Sequence, residues 1–228
     1  MTPTVSSLRE SLEAVADSSI APEMERYMRN RAPYLGIKTP VRRKTAGPWI
    51  KSILADPGAV RPLIDELWDQ PEREFQYVGQ DLLAKAEKHL DESDLPWLVS
   101  LVNTKSWWDT VDALAAIIGG VALDRPPMWE TIDTWANSTG KVGDDEPAMW
   151  LARCAILQQL RYKERTEEAV LFDRCLRRVQ DKEFFIRKAI GWSLRQYART
   201  SPESVRVFVA ANRHEMSPLS IREATKHL

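Results

Sequence analysis

Apolar residues recur at three- and four-residue spacing along nearly the whole chain, the mark of amphipathic helices, and no stretch shows a convincing strand pattern. The pattern predicts helices over 6–17, 23–30, 41–55 (interrupted near Gly47-Pro48), 59–69, 72–89, 95–103, 107–123, 127–137, 146–163, 167–179, 183–200, 202–211 and 218–227. Thr39-Pro40, Ser201-Pro202 and Ser217-Pro218 read as starts, a capping hydroxyl followed by proline at the first helical position. From about residue 59 the helices alternate with short loops at a pair period of roughly forty residues, the spacing of HEAT-like repeats. The expected fold is all-α: one domain over 1–228, an α-solenoid of stacked antiparallel helix pairs whose concave face suits a long, curved ligand such as a duplex. A scaffold that only binds protein would share it, so fold alone does not decide function.

Composition narrows this. The 228 residues are 43% hydrophobic, and the longest apolar run, around Ala113 to Val121, is too short to span a bilayer. The N-terminus lacks a basic start followed by an apolar block, so a cytoplasmic protein is expected, without a membrane partner. Cys154 and Cys175 stand in helical segments with no CxxC or histidine partner, which predicts buried, reduced thiols rather than zinc or a disulfide. The net charge of -1 conceals an uneven distribution: residues 150–228 hold 16 Lys and Arg against 9 Asp and Glu, the remainder 16 against 24. A basic C-terminal third on an acidic body suggests a local face for a polyanion, although solvated helix faces would give the same counts.

The segment SWWDTVDALAAIIGG, 106–120, sets two tryptophans and two carboxylates within a turn and a half of helix. Ser106 and Asp109 match an [ST]-x-x-[DE] cap, which assigns Asp109 to the helix start. Trp107, Val111, Leu114 and Ile118 form a core stripe. Trp108 and Asp112, four apart, share the neighbouring face, and an aspartate that neither caps nor packs beside an indole is a site candidate. On 183–200 the core stripe is Ile186, Ile190 and Tyr197, with Phe185 and Ala189 beside it. The other face repeats Lys188, Trp192, Arg195 and Arg199, a basic stripe with an indole inserted, suited to phosphates together with a sugar or base, although long basic side chains could instead merely cover the indole. Arg153 is the one charge in the apolar helix AMWLARCAILQQL (148–160) and needs an anion, either an internal carboxylate or a phosphate, with Arg161 two turns along. Arg43 lies in a further basic cluster, PVRRK (40–44), that a solvated helix start would also explain.

There is no GxxxxGK[ST] loop and no HxE…PCxxC signature, and His89, His214 and His227 are scattered, so a nucleotide hydrolase, a zinc deaminase and a Ser-His triad are all disfavoured. What remains is one carboxylate with aromatics and arginines. A metal nuclease would want clustered carboxylates, and Asp109 as a cap removes itself from that role.

These residues resemble the AlkD-type DNA alkylation-repair glycosylases, built from HEAT-like repeats, over most of the chain. The resemblance rests on YMRN (27–30), TKSWWDTVD (104–112), WLARCAILQQLRYK (150–163) and EFFIRKAIGWSLRQYART (183–200). It implies a catalytic carboxylate at Asp112, lesion-facing indoles at Trp108 and Trp192 and an active-site arginine at Arg153. It also implies backbone-facing positions at Arg161 and Arg195; with Lys188 and Arg199 of the basic stripe, Arg43, Tyr27 and Arg153, these make the expected DNA-binding set. The implied activity is excision of cationic N3- or N7-alkylated purines such as 3-methyladenine and 7-methylguanine from double-stranded DNA, by a monomer with no metal or cofactor. It implies that the lesion is held at the backbone without enclosing the base. Two alternatives share the residues: a self-resistance enzyme for the bulky purine adduct of a natural product, and a non-enzymatic module binding DNA structure or protein.

Overall fold

The computed structural model describes residues 3–228, and no strand occurs among them. The helices are α1 (Val5–Glu13), α2 (Ala21–Tyr27), α3 (Thr39–Ile53), α4 (Val60–Asp69), α5 (Arg73–Ala86), α6 (Leu95–Asn103) and α7 (Trp108–Ala122). They continue with α8 (Pro126–Trp135), α9 (Glu146–Leu157), α10 (Glu168–Arg177), α11 (Phe184–Tyr197), α12 (Pro202–Asn212) and α13 (Pro218–Ala224). Each predicted helix has its counterpart. One detail is corrected: α3 runs unbroken through Pro48. Ala46, Trp49, Ile50 and Ile53 are buried around the proline, and the Trp49 indole donates to the Thr4 carbonyl at 2.9 Å. That packing outweighs the penalty of about 3 kcal/mol that proline carries inside a helix. Of the three predicted caps, Ser217 accepts from the Ser220 amide at 3.0 Å, Ser201 makes no such bond, and Thr39 is already helical behind Lys38.

The described residues form two compact units, one ending at Leu90 and one comprising Asp91–Leu228. In the first, α4 packs on α5 and α3 packs on both α1 and α5. Its buried Glu74 carboxylate accepts from the amides of Leu35, Gly36 and Ile37, which pins the loop before α3.

In the second unit, α7 packs on α9, α9 on α11 and α11 on α13, with α8, α10 and α12 forming the other member of each pair. This is helical-repeat architecture, and α7, α9 and α11 begin at Trp108, Glu146 and Phe184. The regular spacing brings side chains into register from one repeat to the next. Asp112 pairs with Arg153, Asp124 with Arg165 and Asp133 with Arg174, each pair 41 residues apart. Helix α7 approaches α9 closely because residue 119 is glycine: a Cβ there would lie 2.0 Å from the Gln158 carbonyl oxygen. Backbone cannot swing aside as a side chain can. Gly119→Ala is therefore expected to cost about 1–3 kcal/mol of stability, read as a lower urea midpoint at unchanged slope.

The core of this unit is aromatic where the three helices begin. Trp107, Trp150 and Phe185, one from each start, lie with ring centroids 5.0–5.8 Å apart in edge-on and tilted contacts. The predicted stripe of Trp107, Val111, Leu114 and Ile118 is buried, as are Phe185, Ile186, Ala189 and Ile190. Tyr197 is half-buried instead, its hydroxyl donating to Glu168 at 2.9 Å. Both cysteines are buried and free, and burial pushes the Cys175 thiol up to about 12. Among the described residues no helix is long and apolar enough to cross a membrane.

Candidate active site

Helix α7 starts at Trp108, and the residue before it, Trp107, is extended and accepts the Thr110 and Val111 amides on its carbonyl oxygen. The expected Ser106–Asp109 cap does not form. Trp107 is the N-cap and offers no side-chain acceptor, while the Ser106 hydroxyl turns back to the Val102 carbonyl at 2.6 Å. Burying the Trp107 ring in the aromatic core sets the helix start one residue later than the motif predicts. Asp109 instead stands in the first turn, where a carboxylate suits the positive end of the helix dipole.

The start position fixes the face. Trp107 and Val111 point into the core; Trp108 and Asp112, one residue on, share the neighbouring face and are half-buried. Across the packed repeat, Arg153 of α9 meets Asp112 with two parallel hydrogen bonds, Nε to Oδ1 at 2.7 Å and Nη2 to Oδ2 at 2.9 Å. Its remaining nitrogen, Nη1, donates to the Phe185 carbonyl at the start of α11. The arginine side chain is 5% exposed and the aspartate side chain 16%. The Arg153 guanidinium faces an internal carboxylate, the first of the two anions considered for it, and each of its three nitrogens donates inside the fold.

Burial raises the Asp112 carboxyl above the ordinary aspartate value, the pairing with Arg153 pulls it down, and nearby Asp109 adds a smaller upward push. A guanidinium keeps its charge in proteins, so a neutral Asp112 would leave a buried cation without a counter-ion. The guanidinium thereby opposes the rise that burial causes. Each carboxylate oxygen has a second lone-pair direction, and the Asp112 side chain keeps 16% of its surface exposed.

On α11, Trp192 is half-buried within the predicted stripe. Its two flanking cations do not both face solvent as free charges: Lys188 Nζ lies 2.9 Å from Glu223 Oε1, and Arg195 Nη1 donates to Glu223 Oε2. Glu223, on α13, was not picked out by sequence reasoning, because an exposed-looking glutamate in a short terminal helix carries no periodic signal. Arg199 and Arg161 are exposed. In the first unit, Tyr27 is 74% exposed and Arg43 is exposed and paired with Asp81. Among the described residues no group of three His, Cys, Asp or Glu side chains is placed to hold a metal ion.

The family model described as DNA alkylation repair enzyme matches residues 8–228. A solved structure described as a predicted DNA alkylation repair enzyme from Enterococcus faecalis is 30% identical, covers 93% of this chain and 96% of its own, and superposes with a TM-score of 0.82. The crystal structure of smu.31 from Streptococcus mutans UA159, 14% identical over 82% of this chain and 99% of its own with a TM-score of 0.57, shares the fold. No curated protein matches in sequence.

Proposed function

The chain belongs to the DNA alkylation repair enzyme family, and from that premise we propose that it is a DNA glycosylase hydrolysing the N-glycosidic bond of cationic N3- or N7-alkylated purines in duplex DNA. The observation that carries this reading is the Asp112 carboxylate, clamped by Arg153 with its side chain still 16% exposed, four residues from a half-buried indole on the same helix face.

The chemistry follows from charge. Alkylation at N3 or N7 makes the purine cationic, so the base departs neutral and needs no general acid. The barrier lies in the positive charge that develops on the deoxyribose as the bond breaks. A carboxylate already desolvated and oriented stabilises that charge without reorganising, and the same oxygens orient a water for attack on the sugar carbon. Trp108 and Trp192 offer electron-rich faces to the cationic base and the sugar. Arg153 is a positioning residue: it aims the carboxylate and touches no substrate. Tyr27, Arg43, Arg161 and Arg199 are assigned to the duplex backbone. The enzyme works as a monomer in the cytoplasm, at a site that meets the lesion from the backbone side without enclosing the base, and without a metal.

The test is release of 7-methylguanine and 3-methyladenine from methylated duplex DNA in chelator. The wild type is expected to leave abasic sites; no release of either base would overturn the reading. The rate is also expected to fall as pH drops through the raised Asp112 value, because protonation removes the charge that stabilises the sugar cation. The acidic limb then sits above the range of an ordinary exposed aspartate. A rate that stays level down to that ordinary range would exclude Asp112 as the responsible charge.

A further inference from the structure

Two cations of the α11 face that carries Trp192 are tied to a single carboxylate from the neighbouring helix. Glu223 uses one oxygen for each, Oε1 for the Lys188 ammonium and Oε2 for the Arg195 guanidinium, and its side chain is 15% exposed. The arrangement is built into the packing. A Cβ at Gly191 would lie 2.4 Å from the Glu223 Cβ and 2.9 Å from the Ser220 carbonyl oxygen, so glycine at 191 is what admits α13 to this position. The Ser220 hydroxyl then ties α13 to the Arg187 carbonyl at 3.0 Å, and Ser217 caps the same helix. Hydrogen bonds from both cations hold the Glu223 carboxyl below its usual range, so it is charged under all working conditions.

A carboxylate bridged by a lysine and an arginine offers those cations what a DNA phosphate would offer. Phosphate contacts supply affinity for any duplex, damaged or not, whereas discrimination must come from elsewhere. We propose that Glu223 is a specificity-determining residue: it occupies Lys188 and Arg195 so that the face bearing Trp192 gains little from undamaged backbone and depends on the lesion. This rests on duplex DNA being the substrate.

The experiment is binding of a short fluorescein-labelled undamaged duplex to the full chain by anisotropy over a salt series, wild type against Glu223→Gln. The variant is expected to bind at least about tenfold tighter at low salt. Its plot of log affinity against log salt should steepen by about one to two, each new phosphate contact adding roughly 0.9. The preference for a lesion-bearing duplex over an undamaged one should shrink by the same factor. Unchanged affinity and slope, or weaker binding, in a variant that melts like the wild type would overturn the proposal. If Glu223→Gln does not fold, Lys188→Gln decides instead. With its ammonium already engaged it should lose less than about half a unit of slope, and loss of a full unit, the signature of a direct phosphate contact, would overturn the proposal. Binding alone is read, so the result is independent of whether the wild type releases a base.

Discussion

Asp112→Asn is expected to lose excision of cationic alkylpurines by about 10²–10³-fold, the usual effect of removing one preorganised electrostatic group from an active site. Duplex affinity should stay within about threefold, because phosphate contacts made elsewhere dominate it. Asparagine keeps the volume and one oxygen, so Nε of Arg153 retains an acceptor, while the new amide NH2 turns toward Nη2 where Oδ2 stood. On the proposed mechanism, what is lost is the negative charge that faces the developing sugar cation. Single-turnover release of 7-methylguanine, with binding measured on the same preparation, separates the two quantities. Excision equal to wild type would remove Asp112 from the mechanism.

Arg153→Ala should be the most destabilising substitution at the site. It leaves a mostly buried carboxylate without its partner and strips the Phe185 carbonyl of a donor. Breaking one side of a buried pair costs about 3–5 kcal/mol. The burial that already lifts the Asp112 carboxyl is then unopposed by the guanidinium. The sign of the pH effect follows. A carboxyl whose folded value lies above its unfolded value prefers the folded state when protonated, so the deficit against wild type is largest at neutral pH and narrows on acidification. On the proposed mechanism excision falls as well, since a carboxyl raised further is charged over a narrower pH range. Urea unfolding at two pH values with excision assays checks both. The double variant Asp112→Leu/Arg153→Met should recover stability to within about 1 kcal/mol of wild type, as apolar replacements of buried pairs commonly do, yet release no base. A stable, fully active Arg153→Ala would show that the clamp does nothing for the carboxylate.

The two substitutions divide the labour of the pair. On the proposed mechanism Asp112 supplies the charge, and Arg153 makes that charge tolerable in a buried place and fixes its direction. Trp107, Trp150 and Phe185 pack together near the first turns of α7, α9 and α11, and Phe185 contributes its carbonyl as well as its ring.

The helices were legible in the sequence because amphipathic spacing is local: each helix buries its own stripe, and the stripes of α7 and α11 read directly from residue order. The pairing of Trp108 with Asp112 was legible for the same reason, since four residues along a helix is one turn. The reading erred where packing competed with a local motif. Ser106 and Asp109 match a cap, but burying the Trp107 ring moved the helix start, and Pro48 should break α3, but apolar packing on both sides holds it. The partner of Arg153 could not be read from its own helix, because its anion lies one repeat away. Only the stacking of α7 on α9, with Gly119 allowing the close approach, turned a 41-residue separation into a 2.7 Å contact. Lys188 and Arg195 likewise read as a basic stripe along α11, and only the seating of α13 on Gly191 gave them Glu223. Periodicity in a chain reports which face each helix buries; which charge meets which across stacked helices is a tertiary matter, because backbone approach at single glycines decides it.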